Sequence, residues 1–293
     1  MKIINLKPFV QVMRLSQWVK NLIIFTPIFS LGIFEFNKIL ILSKIFIGFS
    51  LVVSSTYIIN DLKDVLADMN HPIKSKRPIA SKIFPLIYWK IFSFFLFSLG
   101  NTILYFIDIN LLFFSFIYVV ISIFYTFYFK YLIFADILTI PVLFTLRLFL
   151  GAITFRIGLS NYLLIFVISV SLGLASSKKY SILTDSDIKI SRVKDHLIKN
   201  YSSKFLLNLT YISINTALIT YLGWTINVKF NQIENIKFIF LIISCLLLFI
   251  FTNLFMRHTK LSKSEEFLIL LVNNKKMLFV AIFFIIASAI GLT

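Results

Sequence analysis

Long apolar runs alternate with short polar connections along almost the whole chain, and the pattern predicts helices that cross a membrane. A crossing needs about 20 mainly apolar residues. Nine runs meet that demand, near 20–35, 39–60, 86–107, 111–129, 134–154, 160–180, 205–226, 235–256 and 276–292. The first is short, and Pro27 is expected to kink it. The seventh carries several polar residues. The expected fold class is therefore all-α, a polytopic membrane protein of about nine helices forming one domain over residues 1–293.

The distribution of charge fits this count. With the N-terminus inside, the inner segments are 1–20, 60–90, around 130, 176–204 and 257–276, and they hold about 23 of the 29 Lys and Arg. The outer segments hold Lys38, Arg156, Lys229, Lys237 and little else. Cytoplasmic loops of membrane proteins carry such an excess of cations. The predicted topology has the N-terminus in and the C-terminus out, in the cell inner or plasma membrane. The start of the chain lacks a cleavable signal pattern, so insertion is expected to begin with the first membrane helix.

Composition narrows the function further. Apolar residues make up 59% and charged residues 14%, against about 25% charged in soluble domains. The net charge of +17 follows from the loop bias, and no nucleic-acid partner is expected. A single cysteine, Cys245, excludes a disulfide framework. His71, His196 and His258 have no metal-ligand spacing. Two inner loops, 60–85 and 181–204, are long, and long loops in compact proteins are usually functional or disordered.

The first of these loops follows an acidic helix end. Asn60, Asp64 and Asp68 are spaced i, i+4, i+8, and Asp61 lies three before Asp64. On a continuing helix all four share one stripe about 12 Å long. Carboxylates so arranged repel one another at low dielectric, and a divalent cation would relieve that repulsion. Mg²⁺ takes one or two carboxylates together with substrate phosphates. An ordinary solvated helix end is the competing account, but acidic residues at a helix C-terminus oppose the macrodipole. Pro72 and Pro78 then shape a loop carrying Lys74, Lys76, Arg77 and Lys82. Such cations can bind phosphate oxygens, although loop bias alone also accounts for Lys76 and Lys82. Arg147 sits in the middle of the fifth span, and an intramembrane Arg is a functional candidate by default. A structural pair with a buried polar partner is its alternative. Asp136 begins the same helix, where it can simply favour the N-terminal dipole. Trp18 and Lys20 are placed as interfacial anchors, and the phenylalanines from Phe92 to Phe97 as lipid-facing.

Asn60-Asp61-x-x-Asp64-x-x-x-Asp68 resembles the first aspartate-rich motif of the UbiA superfamily of membrane prenyltransferases. Arg14-Leu15-Ser16-Gln17-Trp18-Val19-Lys20-Asn21 and Lys76-Arg77-Pro78-Ile79-Ala80-Ser81 are similar to strings of its decaprenyl-phosphate phosphoribosyltransferase branch. The stretches 146–152 and 201–206 add weaker likeness. The resemblance covers nearly the whole chain. It implies nine helices around a central cavity open to the cytoplasm and the bilayer, with Mg²⁺ as cofactor. It implies phosphoribosyl pyrophosphate as donor and a polyprenyl phosphate as acceptor, both met at the membrane lipid. The product would be a lipid-linked sugar precursor of the kind used in the cell envelope. By the same resemblance Asp61, Asp64 and Asp68 hold the metal and, with Asn60, form the catalytic set. Lys20, Asn21, Lys74, Arg77, Arg147, Lys178, Lys179 and Tyr180 are the expected substrate contacts.

The second half of the pattern departs. Many superfamily members carry Asp-x-x-x-Asp after the sixth helix, but Asp185 and Asp187 have the wrong spacing here. The basic pair Lys178-Lys179 stands instead, as in the phosphoribosyl branch, while Ile182 occupies a place that is usually acidic there. Two other classes stay open at this point. One is a prenyltransferase that uses a prenyl diphosphate and an aromatic or other small acceptor. The other is a transporter, which should show acidic residues near the bilayer midplane.

Overall fold

A computed structural model describes residues 7–70, 74–185, 192–229 and 235–292. The described chain is helical throughout, and eight of its helices are long and apolar enough to cross a membrane. They are α3 (Phe36–Lys63), α5 (Leu86–Tyr105), α6 (Ile109–Phe127), α7 (Ala135–Ile153), α8 (Asn161–Thr184), α10 (Ser203–Trp224), α11 (Asn235–Lys260) and α13 (Lys275–Leu292). Shorter pieces are α1 (Lys7–Met13), α2 (Thr26–Ser30), α4 (Val65–Met69), α9 (Arg192–Asn200) and α12 (Phe267–Asn273).

The first expected span differs in kind. It is a 3-10 helix over Leu15–Phe25 that passes into the five residues of α2. A 3-10 helix rises about 2.0 Å per residue, so these sixteen residues have a contour of about 30 Å, close to a bilayer core. The apolar run is real, but its backbone is the tighter helix. Within it Asn21 and Ile24 are fully buried, while Leu15, Val19 and Leu22 are exposed.

Two compact units are distinguished. The first comprises Met1–Thr26, Glu35–Lys130 and Leu146–Ile157; the second comprises Pro27–Phe34, Tyr131–Thr145 and Gly158–Thr293. In the first, α3 packs along α5. A Cβ on Gly100 would lie 2.5 Å from the Gly48 carbonyl oxygen, so only glycine allows this approach. Lipid gives helices no hydrophobic reason to associate, and close backbone contact through small residues supplies the attraction instead. Val12, Leu51, Ile58, Ile79, Trp89 and Leu96 fill the adjoining core. Phe94 and Phe95 face outward, as expected for lipid, whereas Phe92 turns in against Phe9. Helix α3 has 28 residues, a length of about 42 Å, more than a core of about 30 Å requires. Its last turns can therefore stand clear of hydrocarbon; Asp61 is on them, and Asp64 and Asp68 follow directly.

In the second unit α8 packs on α10, and α11 on α13. The Tyr221 hydroxyl meets Ser244 Oγ at 2.7 Å and Ser288 Oγ at 3.0 Å, tying α10, α11 and α13 together. The start of α7, the end of α8 and α9 share a core of Ile137, Ala175, Leu197, Tyr201 and Leu206.

Candidate active site

The acidic stripe is almost continuous. Helix α3 ends at Lys63, Asp64 bends the chain with φ −94° and ψ 7°, and α4 resumes at Val65. The hydrogen-bond ladder crosses the bend: Asp64 N–H donates to Asn60 O at 3.0 Å, and Asp68 N–H to Asp64 O at 2.9 Å. Asp61 and Asp68 are both 5% exposed. Buried carboxylates need compensation, and three other segments of the same unit deliver it.

Arg14 comes first, from the joint between α1 and the 3-10 helix. Its φ of 51° and ψ of 53° are left-handed, which costs a non-glycine residue about 1–2 kcal/mol. From there Nη2 reaches Asp61 Oδ1 at 2.5 Å, and the guanidinium lies over the Tyr57 ring at 5.2 Å. The charged contact with a buried carboxylate offsets the backbone strain.

Arg77 comes from the loop after α4. A 3-10 turn, Lys74–Lys76, accepts its N–H at Lys74 O, and the buried Pro78, Ile79 and Ala80 anchor the chain beyond it. One nitrogen, Nη1, serves two carboxylates: Asp61 Oδ1 at 3.2 Å and Asp68 Oδ2 at 2.8 Å. Among the described residues its Nε and Nη2 make no hydrogen bond, so two sides of the guanidinium stay available to an anion. Arg77 helps line a cavity of about 290 Å³ together with Gln11, Val12, Arg14, Asp61, Lys76 and Pro78.

Lys130 is the third cation. It sits in the 3-10 turn Phe129–Tyr131, just past α6. Its Nζ donates to both oxygens of Asp64 at 2.9 Å. Neither Arg14 nor Lys130 was a candidate from sequence. Arg14 opens a quoted motif, but the string gave no sign of its target. Lys130 looked like one more loop cation.

The remaining candidates divide. Lys20 is exposed on the 3-10 helix, and Lys74 is half-buried at the head of the Arg77 loop. Asn21 and Arg147 come together instead. Arg147 is 3% exposed; its Nε donates to Asn21 Oδ1 at 2.8 Å and its Nη2 to the Tyr118 hydroxyl at 2.7 Å. Asn21 Nδ2 continues to Ser50 Oγ at 2.9 Å. This is the buried polar pairing that stood as the alternative for Arg147. One turn further along α7, Gly151 packs on the Ile24 carbonyl, so the same face of α7 grips the 3-10 helix twice.

In the second unit, Lys178 is exposed, Tyr180 half-buried and Lys179 turned inward. Lys179 Nζ is ion-paired with Asp136 Oδ2, and the Asp136 carboxylate is wholly buried. Tyr201 donates its hydroxyl to Asp136 Oδ1 at 2.7 Å and accepts Phe134 N–H at 2.7 Å. Burial and the hydrogen bond to Asp136 push the Tyr201 phenol well above its ordinary range. His196 Nε2 stands 3.7 Å from Asp136 Oδ2. Asp136 is thus more than a helix-start residue. Asp185 closes α8, and its carbonyl accepts Lys194 Nζ at 2.6 Å; Asp187 and His71 lie outside the described residues.

The donor set at the acidic end is oxygen from Asp61, Asp64, Asp68 and Asn60, which is hard chemistry suited to Mg²⁺. Among the described residues no three His, Cys, Asp or Glu side chains converge into a closed cage.

Comparison with known proteins places this arrangement. Residues 22–193 match the model of the UbiA prenyltransferase family. The chain is 28% identical over 222 residues to the decaprenyl-phosphate phosphoribosyltransferase of Mycolicibacterium smegmatis, covering 73% of this chain and 69% of that one. The enzyme of the same name from Corynebacterium glutamicum is 26% identical, covering 73% and 66%. Among solved structures, a UbiA homolog from Archaeoglobus fulgidus bound to DMAPP and Mg2+ superposes with a TM-score of 0.63 at 11% identity, covering 97% of each chain. That likeness bears on the fold alone, while the family match extends over more than half of the sequence. With its helical membrane fold and acidic helix end, the chain belongs to the UbiA prenyltransferase family of integral membrane transferases.

Proposed function

We propose that this enzyme moves phosphoribose from phosphoribosyl pyrophosphate to a polyprenyl phosphate, with Mg²⁺, at the cytoplasmic face of the membrane. The observation that supports it best is Arg77, which spans Asp61 and Asp68 with one nitrogen and lines a cavity together with Arg14, Asp61 and Lys76. Carboxylates for a metal and guanidinium donors for phosphate occur there side by side. The relatives named decaprenyl-phosphate phosphoribosyltransferase supply the donor and acceptor classes. The inward bias of Lys and Arg supports a cytoplasmic site.

Asp61, Asp64 and Asp68, with Asn60 beside them, would hold the ion, and bound Mg²⁺ neutralises charge on a diphosphate leaving group. Arg77 and Arg14 bind and orient the diphosphate oxygens. Lys130 holds the Asp64 carboxylate in place, and Lys20 and Lys74 add positive charge for the anionic substrates. The bond from ribose C1 to the diphosphate oxygen breaks and positive charge develops on C1. An oxygen of the lipid phosphate then forms the new bond to that carbon. The acceptor is already ionised, so no strong general base is needed, and fixed cations supply orientation. Prenyl transfer to a small acceptor is the second reading. It draws on the fold neighbour bound to DMAPP and Mg2+, and the same acidic end would serve it.

The deciding experiment incubates membranes containing the protein with Mg²⁺, polyprenyl phosphate and radiolabelled phosphoribosyl pyrophosphate, and counts label in the lipid extract. Magnesium-dependent label is expected. No label, with intact protein and competent lipid, would overturn phosphoribosyl transfer and turn the assay to labelled prenyl diphosphates.

A further inference from the structure

Three acidic and three basic side chains meet at the end of α3 and along α4, and all six belong to the first unit. Asp61, Asp64 and Asp68 are paired with Arg14, Arg77 and Lys130, so the paired set is formally neutral. Lys76, exposed at the edge of the adjoining cavity, brings one more positive charge. The pairing is uneven. The two guanidinium groups touch Asp61 through Oδ1 and Asp68 through Oδ2. Among the described residues, Asp61 Oδ2 and Asp68 Oδ1 accept no hydrogen bond. Asp64 differs: Lys130 Nζ stands 2.9 Å from each of its oxygens and so takes the whole chelating edge of the carboxylate. The fold holds that lysine there. Lys63 Nζ lies 4.9 Å from the centre of the Phe127 ring, which joins the end of α3 to the end of α6, just before the turn that carries Lys130.

We infer that Lys130 is a tethered counter-ion at Asp64 that competes with the metal, so that the site takes a divalent cation only together with an anionic diphosphate. The inference rests on the proposed reading of Asp64 as a metal ligand, and not on which diphosphate ester is the donor. Balance of charge is the reason. A divalent ion added to a neutral set leaves two uncompensated positive charges beside Arg14, Arg77 and Lys130, and like charges so close repel strongly in a partly desolvated site. A diphosphate that arrives with the ion removes that excess, and Mg²⁺ is usually bound through one or two carboxylates plus substrate phosphates. Exchange at Asp64 strands no charge. The Lys130 and Asp64 side chains are 15% and 29% exposed, so the carboxylate passes from one cation to another while the ammonium moves to water or phosphate. Arg14 and Arg77 can stay, because Asp61 and Asp68 each keep a second oxygen for the ion, and their removal would leave buried carboxylates uncompensated.

The experiment is equilibrium dialysis of the full chain in detergent against radioactive Mn²⁺, a stand-in for Mg²⁺, with and without inorganic pyrophosphate, the moiety common to phosphoribosyl and prenyl donors. Wild-type protein should bind Mn²⁺ weakly alone and far more tightly with pyrophosphate. K130M leaves the paired set with a net negative charge. It should bind Mn²⁺ without pyrophosphate about tenfold more tightly than wild type or better, as follows from removing one unit charge beside a divalent ion. K130R keeps the charge and should stay near wild type. If K130M is not recovered folded, K130Q replaces it, since the amide still donates to Asp64 and carries no charge. Equal pyrophosphate-free affinity in wild type and the neutral variant would overturn the inference and leave the metal reading standing. A K130R protein that binds Mn²⁺ as tightly as the neutral variant would also overturn it, because the charge would then not be the cause. Wild-type protein that takes up no Mn²⁺ even with pyrophosphate would overturn the metal reading itself, and the inference with it.

Discussion

Substitution of Arg77 separates its two jobs. In Arg77→Met, Asp68, whose side chain is 7% exposed, loses its contact at 2.8 Å, and a hydrogen bond to a charged group is worth about 1.5–3 kcal/mol. Asp61 keeps Arg14 at 2.5 Å, so its longer contact to Arg77 adds little. Arg77 is one-third exposed, and water reaching the vacated side places the loss toward the low end, about 2 kcal/mol. For a chain of this size that lowers the midpoint by roughly 4 °C. Arg77→Lys should behave differently. A single nitrogen makes both carboxylate contacts, so an ammonium can replace it and retain more than half of that stability. It cannot replace Nε and Nη2, and Arg and Lys are not interchangeable where a planar fork binds phosphate. The expected result is a near-native midpoint with the KM for the diphosphate donor raised about tenfold, the equivalent of about 1.4 kcal/mol. Detergent melting and the lipid-labelling assay read the two quantities separately. A lysine variant with wild-type donor KM would refute the role of the free guanidinium donors, and an unchanged midpoint in the methionine variant would refute the bridge.

Asp64→Asn should abolish transfer with folded protein still present in the membrane, because its side chain is 29% exposed and neutralising a partly solvated pair costs only about 1 kcal/mol; wild-type labelling in this variant would remove the metal assignment. A methyl group on Gly151 would sit 1.9 Å from the Ile24 carbonyl oxygen, so Gly151→Ala should displace the 3-10 helix and cost about 1–3 kcal/mol, and an unshifted midpoint would contradict that packing. The Tyr201 phenol is held protonated in the folded state by burial and Asp136. Its contribution is therefore complete below the unfolded value of about 10 and declines as pH rises beyond it. Tyr201→Phe should flatten that alkaline loss of stability, and identical pH profiles for both proteins would count against the phenol–Asp136 bond.

The long apolar runs were sufficient to recognise a helical membrane protein, because lipid tolerates few other compositions; eight of the nine expected spans recur as helices long and apolar enough to cross a membrane. Local spacing was also sufficient to single out Asn60, Asp61, Asp64 and Asp68: their i, i+4, i+8 pattern needs only one helix, and the backbone ladder carries that helix across Asp64. The 3-10 form of residues 15–25 was not legible, since apolar content sets the length of a span but says little about how tightly its backbone is wound. Nor were the partners. Arg14 and Lys130 lie 47 and 66 residues from the carboxylates they meet, and Arg77 lies 16 and 9 residues from its two, and no helical periodicity connects these pairs. Lys178 and Lys179 make the same point at the shortest range. Identical in charge and adjacent in sequence, they differ in surroundings because the angular step of the helix turns one toward Asp136 and the other toward solvent. The residue types and their local spacing came from the sequence alone; which cation answers which carboxylate was decided by packing, because only the folded backbone sets the desolvation that makes a buried charge choose a partner.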